Sequence, residues 1–216
     1  MSSVFVEDET VHRKAIRRIA GLVVLLTFSL SVLSGVTEAA NLEIVPSASA
    51  ARYRVREQLA GKNFLSDAVG TTRSISGAVS LDARGRLLPG SKITVDLRTL
   101  VSDEARRDNY LRRNTLDTAS FPYTEFVLRE MHGLPFPLPG SGSANVQMRG
   151  DLTVRGVARP VVWDGTVEFQ GNSVRLQART AFKFGDFELT RPRVLLVLSV
   201  EDNIRLEVDL TLRPVS

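Results

Sequence analysis

From about residue 50 onward, apolar and polar side chains alternate with a period of two. Ile204, Leu206, Val208, Leu210 and Leu212 are separated by Arg205, Glu207, Asp209 and Thr211. Val174, Leu176, Ala178, Thr180, Phe182 and Phe184 alternate with Arg175, Gln177, Arg179 and Lys183. Val146, Met148, Gly150, Leu152 and Val154 alternate in the same way with Gln147, Arg149, Asp151 and Thr153. Shorter stretches repeat the pattern at Ile75, Gly77, Val79 and Leu81, and at Ile93, Val95 and Leu97. Successive side chains of a strand point to opposite faces, so each segment has one dry face and one charged face. Strands are predicted near 51–58, 71–82, 91–101, 124–131, 145–155, 160–169, 173–184 and 203–213, with short additions over 42–45 and 194–200. Turn residues separate them at Asp82 to Gly85, Pro89-Gly90, Arg155-Gly156, Gln170 to Asn172 and Glu201 to Asn203. Long antiparallel strands with one dry face protect their edges by sandwiching or by closing into a barrel.

Two segments break the pattern. Leu134 to Ser143 carries Pro135, Pro137 and Pro139 and ends in a Gly-Ser tail. Proline donates no N–H to a ladder, so this reads as a long loop between strands. The charge-dense stretch 103–113 reads as one short helix. Ser102 is its N-cap, Asp103 and Glu104 suit its positive start, and Arg112 and Arg113 suit its negative end. Tyr110 and Leu111 supply its small apolar face. The expected fold is mainly β, with about eight strands and one helical crossover.

Ahead of the strands stands a different kind of segment. His12, Arg13, Lys14, Arg17 and Arg18 form a basic cluster, and Ile19 to Thr37 then carries no charge. Thr37-Glu38-Ala39 resembles the small-x-small site of a cleaved secretory signal. The apolar run also approaches the ~20 residues of a membrane span, and a buried core helix is a third reading. Residues 1–39 are therefore read as a signal peptide or an N-terminal membrane anchor, with membrane association through 19–37 in the second case. The basic side precedes the apolar run, so both leading readings export the rest of the chain to the periplasm, cell envelope or exterior.

Composition then removes chemistry. There is no cysteine, hence no disulfide, thiolate metal site or cysteine-linked lipid. The only histidine beyond the leader is His132, too little for a zinc site or a Ser-His-Asp triad. No phosphate-binding glycine motif is present. Asp151, Asp164, Glu168, Glu207 and Asp209 occupy outward positions, which favours a solvated face over acid–base work. The formal net charge is +4, but the arginines are spread over many strands among acids, which argues against a nucleic-acid surface. The dense group Arg106, Arg107, Arg112 and Arg113 reads as helix capping and ion pairing, or as an anionic headgroup site. No cofactor, metal or catalytic residue is expected.

What remains is the interior. The dry faces offer small residues (Gly77, Gly150, Gly165 and Ala178) and large ones (Phe126, Trp163, Phe169, Phe182 and Phe184). A closed sheet of about eight strands is either filled by such side chains or holds one slender ligand. Composition leaves both open.

Several motifs now add to this reading. Arg107-Asp-Asn-Tyr-Leu-Arg112, Leu116-Asp-Thr-Ala-Ser-Phe-Pro122, Thr124-Glu-Phe126, Gly150-Asp-Leu-Thr-Val-Arg-Gly-Val-Ala-Arg-Pro160 and Ser199-Val-Glu-Asp-Asn-Ile-Arg-Leu-Glu207 follow one another in order. Together, over residues 42–214, they resemble the YceI-like family of exported lipid-binding proteins. The resemblance implies a closed, lipocalin-like antiparallel β-barrel with one helical crossover, and an interior that takes a polyisoprenoid or other long chain, without catalysis or metal. On that reading Phe126, Trp163, Phe169, Phe182 and Phe184 line the pocket, and Arg107 and Arg112 meet a headgroup. The expected function is binding, sequestration or transport of a long-chain lipid outside the cytoplasm. A cofactor-free enzyme acting on a lipid, or a structural envelope domain, are the alternatives.

Overall fold

The computed structural model describes residues 39–215, apart from Lys62 and residues 193–196. Their strands are β1 (Ala40–Ile44), β2 (Ala50–Leu59), β3 (Leu65–Thr72), β4 (Ile75–Leu81), β5 (Lys92–Asp96), β6 (Val101–Ser102), β7 (Tyr123–His132), β8 (Ser141–Val154), β9 (Val157–Gln170), β10 (Ser173–Phe182) and β11 (Val197–Pro214). Neighbours pair antiparallel. Eight of them, β1-β4-β5-β7-β8-β9-β10-β11, form a ring that closes where β1 meets β11, with Ile44 opposite Leu212. The closed antiparallel barrel expected from the sequence is present, with one short helix, α1 (Ala105–Tyr110).

The other three strands form a flap at one end. β2 continues β1 beyond a tight turn at Pro46–Ala48 and pairs with the first part of β11. β3 then pairs with β2, and β6 with the end of β3. Buried Ser49 fixes the bend between β1 and β2. Its hydroxyl donates to the Val45 carbonyl at 2.8 Å and accepts from the Thr211 N–H at 3.0 Å, tying the bend to β11. Thr72 does the same between β3 and β4: its hydroxyl accepts from the Ser74 N–H and shares a 2.6 Å hydrogen bond with Thr99.

The two ends of the barrel differ in filling. Leu42, Leu81, Phe169, Val174, Leu210 and Leu212 are all buried and plug the end opposite the flap. Close approach there and higher up depends on missing side chains. A Cβ at Gly150 would stand 2.2 Å from the Val127 carbonyl oxygen and 2.9 Å from the Phe126 ring. Glycine at this position leaves the Phe126 ring its space.

Several boundaries differ from expectation for identifiable reasons. The strand expected over 71–82 is two strands with a break at Arg73 and Ser74, and β3 begins six residues earlier, at Leu65. Glu201 to Asn203, expected as a turn, is an irregularity inside β11, where the pairing with β2 shifts register between Val200 and Ile204. Asp202 holds it by accepting the Phe184 N–H at 3.1 Å and pairing with Arg191 at 2.9 Å. Phe184 itself leaves β10 and sits in a tight turn, Phe184–Phe187. The Gly-Ser tail of the proline loop is drawn into β8 from Ser141 onward. The predicted leader lies, up to residue 38, outside the described residues. Among the described residues no helix is long and apolar enough to cross a membrane.

Candidate functional site

A cavity of about 160 Å³ lies in the flap end of the barrel. One water needs roughly 10–15 Å³ of such space, so there is room for on the order of ten heavy atoms. β2 contributes Tyr53 and Val55 to the wall, and β5 contributes Ile93 and Val95. Phe126, Met148, Leu152 and Trp163 come from β7, β8 and β9; Phe182, Phe184, Leu189, Ile204 and Leu206 complete the far side. The surface they present is almost wholly apolar. Phe126 and Trp163 set one corner, with ring centroids 5.9 Å apart and planes tilted by 55°. Phe182 is steadied from behind by Phe187, edge-on at 4.5 Å.

The crossover from β5 to β7 closes the cavity from one side through Leu97, Leu100, Leu111, Thr115 and Leu116. Here α1 runs into a wider helical turn, Leu111–Thr115. Polar side chains of the Arg107–Arg112 motif hold this lid in place. Arg107 bridges Glu57 on β2, at 2.7 Å, and Asp103. Buried Asp108 accepts the Ser102 hydroxyl at 2.6 Å and the Ser102 N–H at 3.0 Å. Arg112 donates to the Leu100 carbonyl and to Asn109, each at 3.0 Å. The next motif continues the fastening. Phe121 donates its N–H to the Asp117 carbonyl at 2.8 Å, and its ring lies where a Cβ on Gly156 would be only 2.9 Å away. Gly156 and Arg155, with φ of 77° and 49°, form the tight β8–β9 turn beneath it.

Ser102 is thus a strand residue held by Asp108, opposite Gly70 on β3, and not the helix cap. The cap is Glu104, whose carboxylate accepts the Arg106 N–H at 3.0 Å.

Of the aromatic residues singled out from the sequence, Phe126, Trp163, Phe182 and Phe184 line the cavity. Phe169 does not: it is buried in the plugged end, opposite Val174. Arg107 and Arg112 are also outside the wall, and the protein's own acceptors occupy them. Tyr53, Thr115 and the crossover leucines are lining residues the sequence reading missed. Tyr53 was accessible in principle, since it shares a strand face with Val55. Thr115 had no signal, because it lies in a segment without period two.

Three polar atoms in this wall have no hydrogen-bond partner: the Tyr53 hydroxyl, the Thr115 hydroxyl and the Trp163 Nε1–H. Burial pushes the Tyr53 phenol up to about 12, against the opposing pull of Arg107. It is therefore a neutral hydroxyl at physiological pH. Glu125 and Glu207 border the cavity but are spent in ion pairs with Lys92 and Arg54, at 2.7 and 2.8 Å. Among the described residues no cluster of His, Asp or Glu is arranged to hold a metal ion.

The YceI-like domain description matches residues 42–212, the barrel with its crossover. The chain belongs to the YceI-like family. Protein YceI of Escherichia coli O17:K52:H18 is 25% identical over 190 residues, which cover 82% of this chain and 94% of that relative. A UPF0312 protein of Enterobacter sp. strain 638 is 25% identical over 186 residues, covering 80% and 91% respectively. Solved structures show the same YceI-like barrel. Burkholderia cenocepacia BcnA aligns with a TM-score of 0.59 at 16% identity, over 78% of this chain and 98% of its own. A polyisoprenoid binding domain from Saccharophagus degradans, implicated in plant cell wall breakdown, aligns with a TM-score of 0.59 at 12% identity, over 81% and 98%.

Proposed function

We propose that this YceI-like protein binds a long-chain lipid, isoprenoid or acyl, in its barrel and sequesters or carries it outside the cytoplasm, without chemical conversion. The observation that carries this reading is the apolar cavity between the barrel and its crossover. A packed β-barrel has no need of such a void, and burying CH₂ groups in it stabilises a chain by ~0.8 kcal/mol each. The polyisoprenoid binding domain of the Saccharophagus barrel supports the same ligand class. Room for about ten heavy atoms is less than a long lipid needs. Such a chain places only one end in the cavity. Export is supported by the basic cluster at His12–Arg18 and the uncharged run Ile19–Thr37. A carrier without catalysis is supported by the wall, where acids are tied up in ion pairs and Tyr53 stays neutral.

The test is native mass spectrometry of the protein purified from its own membranes or envelope under gentle detergent. A co-purifying hydrophobic adduct, removed by organic solvent and restored by adding back the extract, is the expected result. A protein that emerges empty and takes up no lipid, while remaining folded, refutes the reading.

A further inference from the structure

The flap has an apolar end that the cavity does not use. Among the described residues, β11 loses β10 beyond Ile204, the partner of Phe182, and from Val200 back to Val197 it has only β2 beside it. Gln58 pairs with Leu65 across the β2–β3 hairpin and with Ser199 on β11, and Leu59 pairs with Val197. This register brings Phe64, Leu65 and Leu198 to one end of a three-stranded ribbon that runs past the ring. They are 64%, 48% and 64% exposed. Three large apolar side chains left in water at one tip mark an interaction surface.

Charge and place indicate what covers it. Leu65 and Asp67 are two residues apart on β3 and share a strand face. Asp67 is met there by Arg205 at 2.8 Å, Arg56 at 3.8 Å and Arg54 at 3.9 Å, and Arg54 also takes Glu207 at 2.8 Å. Three cations against two acids therefore stand immediately behind the apolar end, and Arg56 is half exposed. In sequence the patch is flanked by Lys62 and Arg193 on one side of the balance and by Glu201 on the other. An apolar tip with a basic collar is the arrangement of a segment that enters the boundary of an anionic bilayer. A stable protein partner needs a broad complementary face, and a hairpin end offers little area for one. The tip is also close to the cavity: Val55 of its wall lies four residues before Leu59 on β2, about 13 Å at the rise of a strand.

We propose that the flap tip, through Phe64, Leu65 and Leu198, docks the protein on bilayers that contain anionic lipid, with the arginine collar at the headgroups. Docking turns the cavity end of the molecule toward the bilayer. Its use for loading or delivering cargo rests on the carrier reading above; docking itself does not.

The chain has no cysteine, so one introduced cysteine takes a nitrobenzoxadiazole label at a single place. The test compares the full chain labelled at Asn63→Cys, beside the patch, with the full chain labelled at Asn172→Cys, in the exposed β9–β10 turn of the plugged end. Vesicles are of phosphatidylcholine alone or of an equal mixture with phosphatidylglycerol. The label at position 63 is expected to brighten and shift to the blue on the mixed vesicles, and the label at position 172 to stay as in water. Attachment through residues 19–37 would tether both labels without inserting the tip, so the comparison isolates the flap. Phe64→Ser with Leu198→Ser should weaken the response at position 63 by about 10-fold or more in vesicle concentration. Arg56→Gln should reduce the preference for the anionic vesicle by about 5-fold. All three positions are exposed, and an unchanged urea midpoint verifies that the fold is kept. No response at position 63, or an equal response at both positions, overturns the inference. A blue shift at position 63 that grows with protein concentration in the absence of vesicles makes a second copy the occupant and overturns it as well. Insertion of the tip by a protein that takes up no lipid upholds docking and removes the carrier reading.

Discussion

Tyr53 illustrates how one buried side chain can work against stability. Its hydroxyl is shielded and unpartnered, and a buried polar group without a partner costs about 1–3 kcal/mol. Tyr53→Phe is therefore expected to stabilise the ligand-free protein by about 1 kcal/mol. The pH dependence has a definite sign. The folded-state pKa is raised from 10.0 to about 12, so the fold favours the protonated phenol. That contribution is complete below about pH 10 and is lost as pH climbs from there toward about 12. Urea midpoints measured across this range should fall more steeply for the natural protein than for Tyr53→Phe. Parallel curves would show that the phenol is not linked to folding. The sequence showed this site only in part. Period two reveals which face of a strand a residue occupies, and it correctly put Phe126, Trp163 and Phe169 inside. It says nothing of height along the barrel axis, which the register between strands decides. Phe169 consequently belongs to the plugged end and Trp163 to the cavity.

At the scale of elements, the crossover is the part least visible in the sequence and most involved in the cavity. A helix over 103–113 was expected from its capping residues. The observed α1 starts two residues later, at Ala105, because Asp108 binds both polar groups of Ser102 and keeps that residue in β6, opposite Gly70; beyond Tyr110 the helix widens into the turn Leu111–Thr115. The arginines that suggested headgroup binding are fasteners. Arg107 is 18% exposed at its side chain and Glu57 only 8%, so the pair is largely shielded from solvent. Removing one member of a buried pair strands the other charge, at a cost of 3–5 kcal/mol when burial is complete. Allowing for partial exposure, Arg107→Ala should destabilise by about 2–3 kcal/mol. It should also speed release of a bound fluorescent lipid, because the lid is held to β2 through this pair. Unchanged release with lowered stability would mean that the crossover is not the gate. Within the ring itself, Gly150→Ala drives a Cβ into the Val127 carbonyl and the Phe126 ring. A cost of about 1–3 kcal/mol is expected from such overpacking, read as a lower urea midpoint with an unchanged slope.

At the scale of the whole molecule, the barrel divides its length between stability and binding. The end closed by β1 against β11 is solid with Leu42, Leu81, Leu210 and Leu212, while the flap end keeps an apolar space of about 160 Å³. Such a division predicts how affinity depends on chain length. For primary alcohols of increasing length, each CH₂ buried in the cavity contributes ~0.8 kcal/mol, roughly fourfold in affinity. The cavity is full at on the order of ten heavy atoms. Beyond that point further carbons lie outside the cavity, partly in water, and the gain per carbon should drop well below fourfold. Where the break falls depends on the crossover, since Leu97, Leu100, Leu111 and Leu116 close one side. Loosening that side with Arg107→Ala should move the break to longer chains and weaken the shorter ones, which lose a wall. Titration of Trp163 emission with the alcohol series, in both proteins, measures the two slopes. A single slope continuing through the longest chains of the natural protein would mean that the barrel opens along its length, and that the packed end is not a fixed floor.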